Sequence, residues 1–180
     1  LLVALLRGAF EYQGQKCSAA SRAYIPKSVW NAISSDLCAE IEKIKMGDAR
    51  DFTNFMTAVI DQRAFDKITG YIERAQARDC CHVVVGGASD GSKGWFIEPT
   101  IIVTTNPTSE TMVEEIFGPV LTVYVYDDGD FEKAVREACL TARSGPAQES
   151  YLAENGRSEE AAEEDSREVV VRNSSKALLA

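Results

Sequence analysis

One histidine, His82, stands in a chain of 180 residues, and basic side chains are few, 19 Lys and Arg against 28 Asp and Glu. The resulting net charge of -9, with no local Lys/Arg cluster, argues against affinity for phosphate backbones and makes nucleic acid a poor partner. Cysteine is also sparse. Cys17, Cys38, Cys80, Cys81 and Cys139 are odd in number and show no framework spacing, which suits a reducing compartment. No apolar run reaches the length of a membrane span: Leu1 to Leu6 is too short and lacks a basic flank. With no initiator Met before it, that start reads as the middle of a larger protein.

The single histidine also disposes of several chemistries. Gly87-Ala88-Ser89-Asp90-Gly91 matches the nucleophile elbow of a serine hydrolase, but the residues after it read as turn and strand where the elbow must open a helix. The base of such a triad should follow the serine, and His82 precedes it. Grouped with Cys80 and Cys81, His82 does not give the separated ligand pairs of tetrahedral zinc, and Asp127-Asp128-Gly129-Asp130 lacks the alternation of a calcium loop, so no metal is expected. Asn173-Ser174-Ser175 fits a glycosylation sequon, which the reducing context makes coincidental.

The chain is long enough for one sizeable core, and 45% hydrophobic residues is ordinary for a globular domain. Val29, Trp30, Ile33, Leu37, Ile41 and Ile44 recur every three to four positions and predict an amphipathic helix, with Ser28 as N-cap and Gly47 as its stop. Phe65, Ile68, Ile72 and Ala75 predict a second helix starting after Asp61, in which Gly70 costs about 1 kcal/mol relative to Ala. His82 to Val85, Trp95 to Thr104 and Val120 to Tyr126 are β-rich, and Ser89 to Gly94 reads as a turn. A helix after Asp130 should turn Phe131, Ala134, Val135 and Ala138 inward. Helices interleaved with strands give an α/β fold with a largely parallel sheet covered on both faces. Beyond Arg143 the composition turns to Ser, Gly, Glu and Ala, with the densest charge run at Glu159 to Asp165; residues 143–180 are expected to be an acidic, weakly ordered tail.

Two motifs carry chemistry. Gly14-Gln15-Lys16-Cys17-Ser18 frames a thiol with a glycine that permits close backbone approach, a lysine whose charge favours thiolate, and a neighbouring hydroxyl. Such a thiol can attack an aldehyde and form a hemithioacetal that must then lose hydride to an acceptor. Glu114-Glu115-Ile116-Phe117-Gly118-Pro119-Val120 could hold that acceptor, because Gly118-Pro119 sets a carboxylate and a ring side by side at a strand entrance.

At these residues the chain resembles the aldehyde dehydrogenase superfamily. Ile44-Lys45-Met46-Gly47-Asp48 and Gly94-Trp95-Phe96-Ile97-Glu98-Pro99-Thr100 extend the match. Ala9 to Arg22 and Phe55 to Asp61 are similar to the 1-pyrroline-5-carboxylate (glutamate semialdehyde) dehydrogenase branch. The resemblance implies a three-layer, doubly wound catalytic domain over residues 1–142, lacking the N-terminal dinucleotide-binding domain. It implies Cys17 as the nucleophile, Ser18 as a substrate contact, Glu115 on the nicotinamide ribose and Phe117 near the nicotinamide. NAD as cofactor, a small aldehyde as substrate, the mitochondrial matrix of a eukaryote and a homo-oligomeric parent follow from it as well.

After Arg136 a member of that family should continue into a Tyr-Gly-Leu-type segment, whereas this chain gives Glu137 to Pro146 and its acidic tail. The expectation is a catalytic-domain fragment with an altered C-terminal end, marginally stable and inactive by itself. Two other readings stay open, a thiol hydrolase or acyltransferase with a base near Cys17, and a noncatalytic interaction module with an unreactive Cys17.

Overall fold

A computed structural model describes residues 1–142 and 177–179. Its centre is a five-stranded sheet of order β2-β5-β6-β1-β7, built from β1 (Arg22–Pro26), β2 (Cys81–Val85), β5 (Thr100–Thr104), β6 (Val120–Tyr126) and β7 (Ala177–Leu179). Strands β5, β6, β1 and β7 run parallel, and β2 alone is antiparallel, at the edge beside β5. A two-stranded hairpin, β3 (Ser89–Asp90) with β4 (Phe96–Ile97), lies apart. The decoy Ser89 is therefore an exposed hairpin residue opposite Ile97 and opens no helix.

The middle strand β6 reads Val-Leu-Thr-Val-Tyr-Val-Tyr, β-branched and aromatic throughout as a strand covered on both faces must be. Its alternate residues divide between two layers. Leu121 and Val123 join Ala23, Ile25 and Ile101 under α1 (Leu2–Phe10) and α2 (Lys27–Glu42), where Leu5, Phe10, Leu37 and Ile41 are fully or nearly fully buried. On the opposite face Val120 and Ile102 pack under Ile68, Ile72 and Ala75 of α3 (Gln62–Gln76). Tyr24 and Tyr126 meet Met112 of α4 (Glu110–Val113) and Ala134 and Ala138 of α5 (Phe131–Ala142). Each such aliphatic side chain taken from water contributes roughly 1.5–3 kcal/mol, so both layers are needed to hold the sheet. The α/β three-layer arrangement expected from the pattern is present.

The helices follow their sequence signals with three instructive differences. Asp61 caps α3 as expected, its carboxylate accepting from Ala64 N at 2.7 Å. Helix α2 starts two residues earlier than expected because Pro26 supplies its N-cap, and Ser28 instead turns its hydroxyl and N–H to Asp128. The same helix stops at Glu42, five residues before Gly47, which lies where Met46 bridges Met56. Phe131, expected inward, is 53% exposed, while Ala134 and Ala138 on its helix are buried. Of the tail, Ala177 to Leu179 form β7 against β1, with Ala23 opposite Leu178; the acidic run Glu159 to Asp165 lies outside the described residues. Among the described residues no helix is long and apolar enough to cross a membrane.

Candidate active site

The Gly14 to Ser18 motif lies between α1 and β1, and its shape is set before Cys17 is reached. Helix α1 ends as Phe10 is buried, and Tyr12, Gln13 and Gly14 then all take left-handed backbone angles, with φ of 57°, 57° and 66°. For the two non-glycine residues this costs of order 1–2 kcal/mol each, so something must hold them. Gln13 does so. It is 8% exposed, and with its amide oxygen toward Thr57 it accepts from Thr57 N at 2.9 Å and from Thr57 Oγ1, while its nitrogen donates to Tyr12 O at 2.9 Å. Two residues on, Gln15 Oε1 accepts from Ile60 N at 3.1 Å. The segment Thr57 to Ile60 is thus the shelf on which the Cys17 loop is fastened.

Gly14 is required at the end of this turn. A Cβ there would stand 2.2 Å from Gly118 O and 2.8 Å from Ala9 O, closer than any real side-chain contact. Its absence lets the Cys17 loop lie backbone to backbone against the Glu114–Val120 loop. The chain next makes a turn closed by Ala19 N to Lys16 O at 3.0 Å, with Cys17 and Ser18 as its two exposed central residues. Among the described residues neither the Cys17 nor the Ser18 N–H donates to a protein acceptor.

The second loop is held from α3. Lys67 Nζ donates to Glu115 O at 2.9 Å, and Ile68 fills the space over Gly118, where a Cβ would meet its Cδ1 at 2.5 Å. Phe117 takes the left-handed φ of 60° and leaves its ring 43% exposed, while Val120 N donates to Gly118 O at 2.8 Å around Pro119 and starts β6. Ile116 between them is buried, which turns Glu115 and Phe117 outward together. A cleft runs along the seam, with Gly14, Lys16 and Ala19 to Ser21 on one wall and Glu115 to Gly118 with Val120 on the other.

Charge near the thiol differs from the expectation in one respect. Lys16 does not stand free beside the sulfur; its ammonium pairs with Glu11 at 2.7 Å. That hydrogen bond, with the lysine's charge behind it and Arg7 adding a smaller share, holds the Glu11 carboxyl below its ordinary value. Under the seam Arg22, 6% exposed, donates to Met112 O. Burial pulls its guanidinium below the ordinary value, opposed by attraction to Tyr24 and Glu115. Among the described residues no three His, Cys, Asp or Glu side chains gather as a metal site.

All four residues singled out in the sequence therefore lie on two adjoining loops, Cys17 and Ser18 on one and Glu115 and Phe117 on the other. The sequence reading missed Gln13, Gln15 and Thr57, although two glutamines flanking a glycine just past an apolar helix end are a signal of a fastened loop. The aldehyde dehydrogenase family profile matches residues 1–142. The chain belongs to the aldehyde dehydrogenase family.

Among its relatives in that family, the mitochondrial Delta-1-pyrroline-5-carboxylate dehydrogenase of Dictyostelium discoideum is 54% identical over 131 residues, which cover 73% of this chain and 24% of that protein. The crystal structure of the Delta-pyrroline-5-carboxylate dehydrogenase from Mycobacterium tuberculosis superposes with a TM-score of 0.73 at 42% identity, covering 80% of this chain and 26% of that one. A structure of the Mycobacterium tuberculosis enzyme bound with NAD gives 0.68 at 40% identity, covering 79% of this chain and 29% of the other. This aldehyde dehydrogenase chain thus spans about a quarter of the length of the curated relatives it matches.

Proposed function

We propose that this chain is the nucleophile-bearing part of an NAD-dependent dehydrogenase that oxidises glutamate semialdehyde, the open form of 1-pyrroline-5-carboxylate, to glutamate in proline catabolism. The observation that carries the reading is the seam itself: Gly14 lies against Gly118, so the loop that bears the exposed Cys17 adjoins the loop that bears the exposed Glu115 and Phe117. The Delta-1-pyrroline-5-carboxylate names of its relatives support the substrate, and the Dictyostelium protein's mitochondrial designation supports the matrix as its place.

The thiol of Cys17 adds to the aldehyde carbon and forms a hemithioacetal. The oxygen gains charge as the carbon becomes tetrahedral, and the Cys17 N–H, which donates to no protein acceptor among the described residues, would receive it. Ser18, the other central residue of the turn, offers its hydroxyl to the polar substrate. Nicotinamide dinucleotide, when bound, supplies the hydride acceptor. The donor set fits that group: the outward Glu115 carboxylate suits ribose hydroxyls, and the exposed Phe117 ring suits the face of a nicotinamide. The oxidised substrate is then a thioester on Cys17, which water releases as the acid. An assembly of several copies of the parent protein belongs to the same proposal.

The alternative of a thiol hydrolase needs no nucleotide, so the two are separated by labelling. In the complete enzyme, iodoacetamide should alkylate Cys17 and NAD should slow that labelling. Alkylation of Cys17 at the same rate with and without NAD would count against the dehydrogenase.

A further inference from the structure

Away from the seam, Cys80 and Cys81 set two sulfurs together at the start of the edge strand β2, with Sγ atoms 3.8 Å apart. Neighbouring residues on an extended strand send their side chains to opposite faces, so this convergence needs a cause. It comes from the turn before the strand: Cys81 N donates to Arg78 O and Thr105 N to Cys80 O, both at 3.0 Å, which holds Cys80 outside the regular pleat. Cys80 is half-buried and reachable from solvent, while Cys81 is 4% exposed and touches Thr104 Oγ1 at 3.5 Å. Ser109, 1% exposed, places an Oγ with no conventional partner beside the Cys81 sulfur.

Two sulfurs bound at about 2.3 Å to one pyramidal centre with near-right angles stand roughly 3.3–3.5 Å apart, a few tenths of an ångström closer than this pair, so a small side-chain rotation gives the bite of a chelate. A disulfide would require them to close to about 2.05 Å, against the backbone bonds that hold Cys80 in place. With no third His, Cys, Asp or Glu to complete a set among the described residues, the pair does not suit zinc, which takes four ligands. It suits a soft centre that asks for two thiols and brings its own third bond.

We propose that Cys80 and Cys81 form a dithiol site that captures trivalent organoarsenicals. With an organoarsenic oxide the arsenic–oxygen bond breaks and two arsenic–sulfur bonds form. Both thiol protons leave on that oxygen as one water, and nothing is oxidised or reduced. Burial pushes the Cys81 thiol above its ordinary value, which makes it a poor target for alkylating agents that need thiolate but leaves the proton this condensation consumes.

The full chain is incubated with phenylarsine oxide in excess glutathione and followed by intact mass and by thermal melting. One phenylarsenic per chain is expected, retained against glutathione, released by 2,3-dimercaptopropanol, and accompanied by a raised melting midpoint, since a ligand of the folded state stabilises it. Cys80→Ser and Cys81→Ser should each weaken retention by roughly a hundredfold or more, because a lone thiol loses the effective concentration of the second. Cys17→Ser and Cys38→Ser should leave it unchanged. Absence of an adduct, an adduct that survives in the half-buried Cys80→Ser variant, or a melting midpoint that falls because the unfolded chain binds better would each overturn the proposal.

Discussion

Gln13 shows how one buried amide sets the course of the Cys17 loop. It fastens two consecutive left-handed residues and ties them to Thr57, so its removal leaves Thr57 N and Tyr12 O without their partner. Gln13→Ala is expected to destabilise the fold by roughly 1–3 kcal/mol, read from urea unfolding midpoints; a change within experimental error contradicts the clamp. Lys16 illustrates the other side of residue-scale reading. Its sequence position beside Cys17 suggested a charge for the sulfur, yet folding brings Glu11 to within 2.7 Å of it, and linear adjacency carries no information about that competitor. The pair has a pH signature. Glu11's folded value lies below its unfolded one, so its contribution is present above the unfolded value and is lost as pH falls through the folded value. Lys16→Met should raise the Glu11 midpoint toward the ordinary carboxylate range in a carboxyl-carbon NMR titration, and an unmoved midpoint would show that the pair is not formed in solution.

At the scale of elements, what could be read in advance was whatever declared itself by period or by a strong local residue. Helix α3 was legible because Asp61 and the Phe65, Ile68, Ile72, Ala75 stripe agree, and the cap can be tested directly: Asp61→Ala should cost about 1 kcal/mol in thermal or urea unfolding, whereas Asp61→Asn should be nearly neutral. Equal losses in both variants would mean that the charge, rather than the hydrogen bond to Ala64 N, is what matters. The ends of α2 were less legible, because Pro26 and the Met46 to Met56 bridge act in place of Ser28 and Gly47. Four-residue α4 has no length in which to show a period, yet it carries Met112, which accepts from Arg22, and Glu110, which pairs with Arg74 and Arg78 of the preceding helix region. The strand β6 was read to its end residues, since an uninterrupted β-branched and aromatic run between Pro119 and Asp127 leaves no other solution. The left-handed turn at Tyr12 and Gln13 was not readable at all, since neither residue type favours that conformation and only the shelf at Thr57 enforces it.

Over the whole molecule, the arrangement is a three-layer sheet domain whose first and second halves in sequence meet at one seam. Helix α1 and its loop supply the thiol, while α3 and the loop entering β6 supply the carboxylate and ring, and Gly14 against Gly118 makes their contact possible. The family match ends at residue 142, at the end of α5, and β7 adds a last strand beside β1. Cys17 is proposed as the group that bonds to substrate beside this seam. Turnover of glutamate semialdehyde with NAD by the complete enzyme carrying Cys17→Ala, compared with the unaltered enzyme at equal folded content, tests it most directly. The proposed mechanism has no covalent route without the sulfur, so turnover should fall by roughly a thousandfold or more. A Cys17→Ala enzyme that keeps its rate, with unchanged cofactor binding, would contradict it.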